Sequence, residues 1–211
     1  MFKSAIIGLG NAGFMYDYDM SENILTHTKA YKACKNTTLE CVSEIDDNKI
    51  KLFKKKYDVP IYKNYNKMLE NHKIDVVSIA TNNESHVNIL LDILKLDVKI
   101  IFCEKPISNT LKNIKDLNDI YVERKIPIYV NYFRKWDRQF QKIGTIINNS
   151  KKNDLLKIEI NYSKGLIHTG THYLDFLIDW FGMPTRWSSP VPIEKISSND
   201  FTSTFDLFFN F

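Results

Sequence analysis

The feature that most constrains this chain is a glycine-rich turn near its N-terminus. Residues 8–13 read GLGNAG, a G-x-G-x-x-G pattern that follows a short apolar strand and opens a helix. The first glycine permits a tight turn, the second lets the backbone approach a pyrophosphate, and the third lets helix and strand pack closely. The chain has seven glycines and three of them lie in these six positions. The pattern therefore predicts a dinucleotide-binding turn made by Gly8, Gly10, Asn11, Ala12 and Gly13.

Apolar runs of strand length alternate with helical patterns through the first 130 residues. Strands are predicted over 4–8, 39–45, 75–80, 98–103 and 127–132. One helix is predicted after Asp46 or Asp47, either of which can cap it. Two more helices are predicted over 86–96 and 109–123. Continuously apolar strands separated by helices indicate a parallel sheet covered on both faces. We therefore predict an α/β fold whose N-terminal part is a doubly wound Rossmann domain.

The pattern changes after about residue 137. A helix over 137–149 precedes residues 155–162, where apolar and polar residues alternate as in a half-exposed antiparallel strand. A helix over 168–181 and a last strand over 201–211 complete the chain. We expect a dinucleotide-binding domain over 1–130 and a partial, truncated α+β substrate domain over 131–211. The last strand would leave a sheet edge that a second copy of the chain could cover, giving a homo-oligomer.

Composition excludes several classes of function. The net charge of +4 comes from 29 basic and 25 acidic residues, and the lysines are interleaved with acidic residues instead of clustered, so no nucleic-acid partner is predicted. Three cysteines without metal-ligand spacing fit a reducing compartment. The sequence shows no signal peptide and no apolar stretch of membrane-spanning length, so we expect a cytoplasmic protein without a membrane partner.

An acidic residue at the end of the second predicted strand indicates which nicotinamide cofactor is bound. Glu44 stands there, and a carboxylate at this place accepts hydrogen bonds from the adenosine ribose hydroxyls and repels a 2′-phosphate. The pattern therefore favours NAD over NADP. The spacing from Gly13 exceeds the usual distance of about 20 residues, which predicts an inserted loop within 16–30 and leaves a plain surface role for Glu44 open.

Four further segments point to one family. Glu104-Lys105-Pro106 directly follows a predicted buried strand. The other three segments are residues 79–86 (IATNNESH), 130–134 (VNYFR) and 165–175 (GLIHTGTHYLD). Together with the glycine turn, these motifs resemble the glucose–fructose oxidoreductase / inositol dehydrogenase / MocA family. The resemblance covers essentially the whole chain.

The resemblance implies an NAD(P)-dependent oxidoreductase that transfers a hydride between nicotinamide and a sugar, polyol or nucleotide sugar. It implies that His172 is the general acid/base and that Lys105 hydrogen-bonds the reacting oxygen, placed by Glu104 and Pro106. Substrate contacts are expected from Lys105, His168, His172 and Asp175. Cofactor contacts are expected from Thr81, Asn82, His86, Glu104, Lys105, Asn131 and Arg134.

Two positions depart from the family pattern. His168 stands where the family has an aspartate, and it could serve as a second catalytic or substrate-binding group if it shares a helix face with His172. Asn82 stands where proline is usual. His86 has an equally open alternative as a core histidine. His168, His172 and Asp175 could be read as metal ligands, but the glutamate that accompanies such a histidine pair is replaced by Thr169, so no metal is predicted.

A second function remains open at this point. A nucleotide-binding or sensor protein of the same fold, catalytically impaired by an incomplete substrate domain, would show the same N-terminal motifs. Cofactor binding without turnover distinguishes it from an active dehydrogenase.

Overall fold

A computed structural model describes residues 1–20, 22–108, 110–150, 158–188, 194–197, 200–202 and 206–208. The chain forms two compact units, Met1–Asn131 and Tyr132–Phe211. Each unit has its own helices and strands.

Unit 1 is built on a six-stranded parallel sheet. Its strands are β1 (Phe2–Ile7), β2 (Thr37–Ser43), β3 (Ile61–Tyr62), β4 (Val76–Ile79), β5 (Ile100–Cys103) and β6 (Ile128–Val130). They lie in the order β3-β2-β1-β4-β5-β6, and every neighbouring pair is parallel. The order reverses between β1 and β4, which is the position where open α/β sheets bind ligands. The predicted α/β Rossmann fold is confirmed.

Five helices cover the two faces of this sheet. They are α1 (His27–Ala33), α2 (Asp47–Lys54), α3 (Tyr65–Asn71), α4 (Asn83–Ile93) and α5 (Leu111–Arg124). Because side chains alternate along a strand, Ala5 and Ile7 join the apolar cluster on one face and Ile6 joins the cluster on the other. As predicted, Asp46 caps α2, where its carboxylate accepts from the amides of Asn48 and Lys49.

A loop separates the glycine turn from α1, as the long spacing to Glu44 predicted. A π-helical turn covers Asn11–Met15, and α1 begins only at His27. The buried Asp17 carboxylate holds the loop by accepting from the amides of Leu25 and Thr26 at 2.7 and 3.0 Å and from the Thr26 hydroxyl. The Thr28 hydroxyl donates to the Gly13 carbonyl at 2.7 Å, so α1 is tied back to the turn.

Unit 2 contains two longer helices and short antiparallel strands. A 3₁₀ turn (Phe133–Trp136) leads into α6 (Arg138–Asn149), and a π-helical turn (Leu166–Gly170) leads directly into α7 (Thr171–Phe181). The strands are β7 (Arg186–Ser188), β8 (Glu194–Ser197), β9 (Asp200–Thr202) and β10 (Asp206–Phe208). β7 pairs with β10, and β8 pairs with β9.

Two predicted strands need correction, and two elements of the fold were missed. The described part of the predicted strand over 155–162, residues 158–162, is not a strand, because alternation supplies a face but no pairing partner; residues 155–157 lie outside the described residues. The predicted strand over 201–211 is divided between β9 and β10, which pair with different strands; residues 203–205 and 209–211 lie outside the described part. β3 and α3 were not predicted.

Candidate active site

The predicted cofactor residues of unit 1 gather at one edge of the sheet. Gly8, Glu44, Glu104 and Asn131 each follow a strand directly, and Thr81 follows β4 by two residues. The strands are parallel, so all of these positions stand at the carboxyl edge, on both sides of the point where the strand order reverses. The structure thus brings the residues of four separate motifs together.

The three positions of the turn are occupied by glycine for different physical reasons. Gly8 has a φ of +94°, and a Cβ there would lie 2.6 Å from the Ala80 carbonyl oxygen. A Cβ on Gly13 would collide with the Gly8 carbonyl oxygen. A Cβ on Gly10 would meet only Ala80 O among the described residues, at an ordinary 3.7 Å. The fold therefore requires glycine at 8 and 13, whereas at 10 the missing side chain leaves room for the backbone to approach a ligand.

The π-helical turn behind Gly10 presents the amides of Asn11 and Ala12 at its start. The amides that open a helical turn have no partner within it. Phe14 and Met15 donate their amides to the Gly10 carbonyl at 2.9 and 3.0 Å, which closes the turn behind those first positions. Asn11 is exposed and Ala12 is half-buried, so both lie at the surface of the cradle. These residues fit the phosphates of a dinucleotide.

The Glu44 carboxylate is bound to the glycine turn itself. Its Oε2 accepts from the Leu9 amide at 2.7 Å, and its Oε1 accepts from the amides of Ile45 and Asp46 at 2.8 and 3.0 Å. Lys49 Nζ lies 4.0 Å from Oε2. Glu44 is buried, so it is not the plain surface residue that was the alternative. It places a negative charge beside the turn and retains acceptor capacity on Oε2.

His86 is fully buried beneath the site. Its Nδ1 lies 2.8 Å from the Pro106 carbonyl oxygen, and its Nε2 lies 3.1 Å from the Thr81 carbonyl oxygen. The ring therefore bridges the loop after β4 and the loop after β5. This geometry favours the core role over a direct cofactor contact. The half-buried Thr81 and the exposed Asn82, which precedes α4, remain at the surface above it.

The Glu104 carboxylate connects the ends of β5 and β6 to the start of α1. Its Oε1 accepts from Asn131 Nδ2 at 2.6 Å and lies 3.1 Å from His27 Nε2. Burial raises the pKa of the Glu104 carboxyl, but the hydrogen bonds from His27 and Asn131 and the nearby Lys105 charge outweigh it and hold the pKa below its usual value. Lys105 is half-buried, and the Lys105–Pro106 peptide bond is cis. A carboxylate and a lysine thus stand side by side at the carboxyl edge.

His172 lies in an aromatic setting within unit 2. The rings of Tyr132 and Phe133 meet its imidazole edge-on, with centroids 5.4 and 5.3 Å away, and His172 is 3% exposed. His168 is exposed on the π-helical turn. His172 is buried and His168 is exposed, so the two rings differ in their access to solvent, and their shared helix face stays a prediction.

Charged residues of unit 2 lie near the same helix. Asp175 is half-buried, and burial raises the pKa of its carboxyl, with Lys135 opposing the shift and Asp179 adding to it. Lys135 Nζ lies 3.9 Å from Asp175 Oδ2 and 2.8 Å from Asp179 Oδ1. Arg134 donates to the Tyr173 hydroxyl at 3.2 Å. Its predicted cofactor contact stays a prediction.

Three residues near the site were not predicted from the sequence. His27, Tyr31 and Ser78 form a hydrogen-bonded chain that ends on Glu104. Two signals could have found them: His27 and Tyr31 are four residues apart on one helix, and Ser78 is a polar residue inside an otherwise apolar strand.

Within the described ranges, no three histidine, cysteine or acidic side chains converge as metal ligands. Among the helices that the structure describes, none is long and apolar enough to cross a membrane.

Comparison with known proteins identifies the family. A family model described as "Oxidoreductase family, NAD-binding Rossmann fold" matches residues 2–132, which is more than half of the chain. The chain belongs to this oxidoreductase family. The resemblance drawn from the glycine turn and the Glu104-Lys105-Pro106 motif is therefore confirmed.

Individual relatives of this chain are distant. Myo-inositol 2-dehydrogenase of Thermotoga maritima is 23% identical over 148 residues, covering 70% of this chain and 41% of the relative. An uncharacterized oxidoreductase of Schizosaccharomyces pombe is 22% identical, with 86% of this chain and 52% of the relative covered. The chain thus spans about half the length of these curated relatives.

Solved structures show the same fold. Myo-inositol 2-dehydrogenase from Lactobacillus plantarum superposes with a TM-score of 0.75 at 16% identity, covering 98% of this chain and 66% of that one. Scyllo-inositol dehydrogenase from Lactobacillus casei, solved with NAD(H) and scyllo-inositol, gives a TM-score of 0.71 at 15% identity, with coverages of 89% and 58%.

Proposed function

We propose that this protein is an NAD-dependent oxidoreductase that transfers a hydride between nicotinamide and a hydroxyl or ketone of a sugar, polyol or nucleotide sugar. The observation that carries the proposal is the geometry at Gly10. The fold does not itself require glycine there, whereas a pyrophosphate approaching the backbone does. The relatives named after inositol support a polyol as the first substrate class to test.

The choice of NAD over NADP rests on Glu44. Its carboxylate would accept a hydrogen bond from a ribose hydroxyl and would repel a 2′-phosphate. Lys49, at 4.0 Å, offsets part of that repulsion. We therefore expect a preference for NAD of at least about tenfold, or about 1.4 kcal/mol, in dissociation constants.

Oxidation of an alcohol removes a hydride from carbon and a proton from oxygen. Bound NAD supplies the hydride acceptor. We assign the proton to His172, because imidazole titrates near neutral pH and can take it and release it again. The Lys105 ammonium would stabilise the developing alkoxide. His168 and Asp175 would bind further hydroxyls of the substrate, and reduction of a ketone would run the same steps backwards.

The first experiment separates cofactor binding from turnover. Calorimetric titrations with NAD, NADH and NADP measure affinity. Spectrophotometry at the NADH band then follows NAD reduction with myo- and scyllo-inositol, and NADH oxidation with keto-sugars and nucleotide keto-sugars. Binding of neither cofactor would refute the proposal and its nucleotide-binding alternative together.

The second experiment tests the assigned residues. Lys105→Ala and His172→Ala are each expected to lower kcat by about 100-fold or more. His72→Ala, which removes a half-buried histidine bonded to Tyr62 in unit 1, is the control and should leave kcat unchanged. NAD binding without turnover, unaffected by either active-site variant, would instead support the sensor protein.

Assembly is a separate part of the proposal. We expect a homo-oligomer formed through the C-terminal strands, where Trp187 on β7 and Phe208 on β10 are exposed. Light scattering of the wild-type chain and of a Trp187→Ser, Phe208→Ser variant measures it. A monomeric wild type would refute this part alone.

A further inference from the structure

A chain of hydrogen bonds runs through unit 1 to the carboxyl edge of the sheet. The Tyr31 hydroxyl lies 2.7 Å from Ser78 Oγ, and Ser78 Oγ lies 3.1 Å from His27 Nδ1. The other ring nitrogen of His27 lies 3.1 Å from Glu104 Oε1. Tyr31 and Ser78 are buried, and the His27 side chain is 13% exposed. The proposed roles of Lys105 and His172 use none of these three residues.

The polarity of this chain follows from its two ends. Glu104 is ionised because its pKa is held low, so its oxygen can only accept and His27 Nε2 must carry the proton. When the imidazole is neutral, Nδ1 carries no proton and accepts from the Ser78 hydroxyl. The Ser78 oxygen in turn accepts from the Tyr31 hydroxyl. Burial raises the pKa of Tyr31 to about 12, so its hydroxyl keeps the proton that this direction needs. Each donor therefore has one acceptor.

The opposite direction leaves a donor without a partner. A His27 with a proton on Nδ1 would donate to Ser78, and Ser78 would then donate to the Tyr31 oxygen. The Tyr31 hydroxyl proton would need another acceptor, and in the described part of the chain Ser78 is the partner found for it. A buried hydroxyl without an acceptor costs about 1–3 kcal/mol. The neutral Nε2–H tautomer is thus the state that satisfies all the groups.

We propose that His27 is a positioning residue for this oxidoreductase. Protonated on Nε2 towards Glu104 and hydrogen-bonded at Nδ1 by Ser78, it fixes the Glu104 carboxylate and, through it, the placement of the adjacent Lys105. This inference rests on the proposed function, in which Lys105 contacts the reacting oxygen. Residues that orient a metal ligand through a hydrogen bond change activity by about 10- to 100-fold when removed, and we expect an effect of that order for His27 acting on Glu104.

Nuclear magnetic resonance tests the tautomer without any turnover. The two ring nitrogens of His27 are assigned in the ¹⁵N-histidine-labelled protein by the loss of their signals in His27→Gln. We expect a protonated Nε2 and a bare Nδ1 at neutral pH in the wild type. In Ser78→Ala and in Tyr31→Phe, which removes one oxygen atom, Nε2 should keep its proton because Glu104 still accepts from it, whereas the Nδ1 signal should shift because the hydrogen bond from Ser78 is lost or weakened. A wild-type ring protonated on Nδ1 would overturn the proposal.

A second set of measurements tests the effect on Lys105. The Cε signal of Lys105, assigned by its loss in Lys105→Arg, should move in His27→Phe and return towards its wild-type position in His27→Gln, which restores one side-chain N–H. With a substrate that the wild-type protein turns over, kcat should fall about 10- to 100-fold in His27→Phe. The dissociation constant of NADH should change less than about threefold. His72→Phe is the matched control and should change neither.

These outcomes separate the two proposals. If no substrate is turned over, the proposed function fails while the tautomer and the Lys105 signal still decide the role of His27. If turnover is found but His27→Phe leaves both kcat and the Lys105 signal unchanged, the positioning role fails alone. Should His27→Phe not fold, Tyr31→Phe carries the same comparison with a smaller expected loss of about three- to tenfold.

Discussion

Individual glycines of the N-terminal turn differ in whether the fold or a bound ligand requires them. Gly8 and Gly13 have no space for a Cβ, whereas Gly10 has space and a φ of −69°, which alanine adopts without strain. The same motif thus contains two kinds of glycine. A sequence pattern cannot tell them apart, because the difference depends on where Ala80 and the Gly8 carbonyl lie in three dimensions.

Alanine at these positions should therefore have opposite effects. Gly13→Ala is expected to destabilise the protein by about 1–3 kcal/mol, because its Cβ collides with the Gly8 carbonyl oxygen. Gly10→Ala should keep or slightly raise the melting temperature but weaken NAD binding at least about tenfold. Thermal melting and calorimetry measure both. Equal NAD affinity in Gly10→Ala and wild type would contradict the assignment of the turn.

The partial burial of the Asp175 carboxyl should make the free energy of unfolding depend on pH. Its pKa is raised chiefly by burial, so this carboxyl contributes stability that is fully present below its unfolded pKa of about 3.9 and is lost as the pH rises through the folded value. Asp175→Asn stays neutral and should be more stable than wild type at pH 7 by about 0.5 kcal/mol, with the gain vanishing in acid.

The control for this prediction is Asp179→Asn, which removes the 2.8 Å ion pair with Lys135 from a half-exposed carboxylate. The ion pair that it loses contributes about 0–1 kcal/mol and the repulsion between Asp179 and Asp175 is relieved, so any net gain at pH 7 should be smaller than that of Asp175→Asn. Chemical unfolding at pH 4 and pH 7 measures both variants. A loss of stability in Asp175→Asn at pH 7 would show that its contact with Lys135 outweighs the cost of burial.

At the level of structural elements, the loop between the glycine turn and α1 depends on one buried carboxylate, that of Asp17. Asp17→Ala would leave the amides of Leu25 and Thr26 without their acceptor and should cost about 2–4 kcal/mol. Asp19→Ala removes an exposed carboxylate from the same loop and should have no measurable effect. Urea unfolding of the two variants is the measurement. If both variants unfold alike, the loop does not depend on Asp17.

The sequence predicts long apolar strands better than short ones. β1, β2, β4, β5 and β6 each overlap a predicted strand, because each coincides with a run rich in apolar residues. β3 has only two half-buried residues, and it forms because β2 offers it a partner: the amide of Val42 donates to the Pro60 carbonyl at 2.9 Å. Local pattern cannot supply a partner that is distant in sequence.

The same reason limits prediction of the site. The glycine turn, Glu44 and the Glu104-Lys105-Pro106 motif are contiguous and could be read directly. The contact from His27 to Glu104 joins residues 77 positions apart, and the contact from Tyr31 to Ser78 joins residues 47 apart. Their meeting depends on the strand order and on how α1 packs over the sheet, neither of which a motif contains.

For the chain as a whole, NAD should protect unit 1 at the carboxyl edge of its sheet. At a concentration of 100 times the dissociation constant, NAD adds about 2.7 kcal/mol of stability by mass action. Hydrogen exchange followed by mass spectrometry should show slower exchange over residues 8–16 and 44–46. The same measurement on Gly10→Ala is the control, and it should show weaker protection, because a tenfold lower affinity reduces the added stability to about 1.4 kcal/mol. Faster or unchanged exchange at residues 8–16 in the wild type would contradict the site.

The unequal demands on the three glycines have an evolutionary consequence. A descendant that gave up its nucleotide would be released from selection at Gly10 at once, because an alanine there fits the remaining protein. Gly8 and Gly13 would persist, since losing either disturbs the fold whether or not a nucleotide binds. Decay of this motif would therefore proceed in a fixed order, beginning with its middle glycine, and that order would date the loss of the cofactor in a lineage.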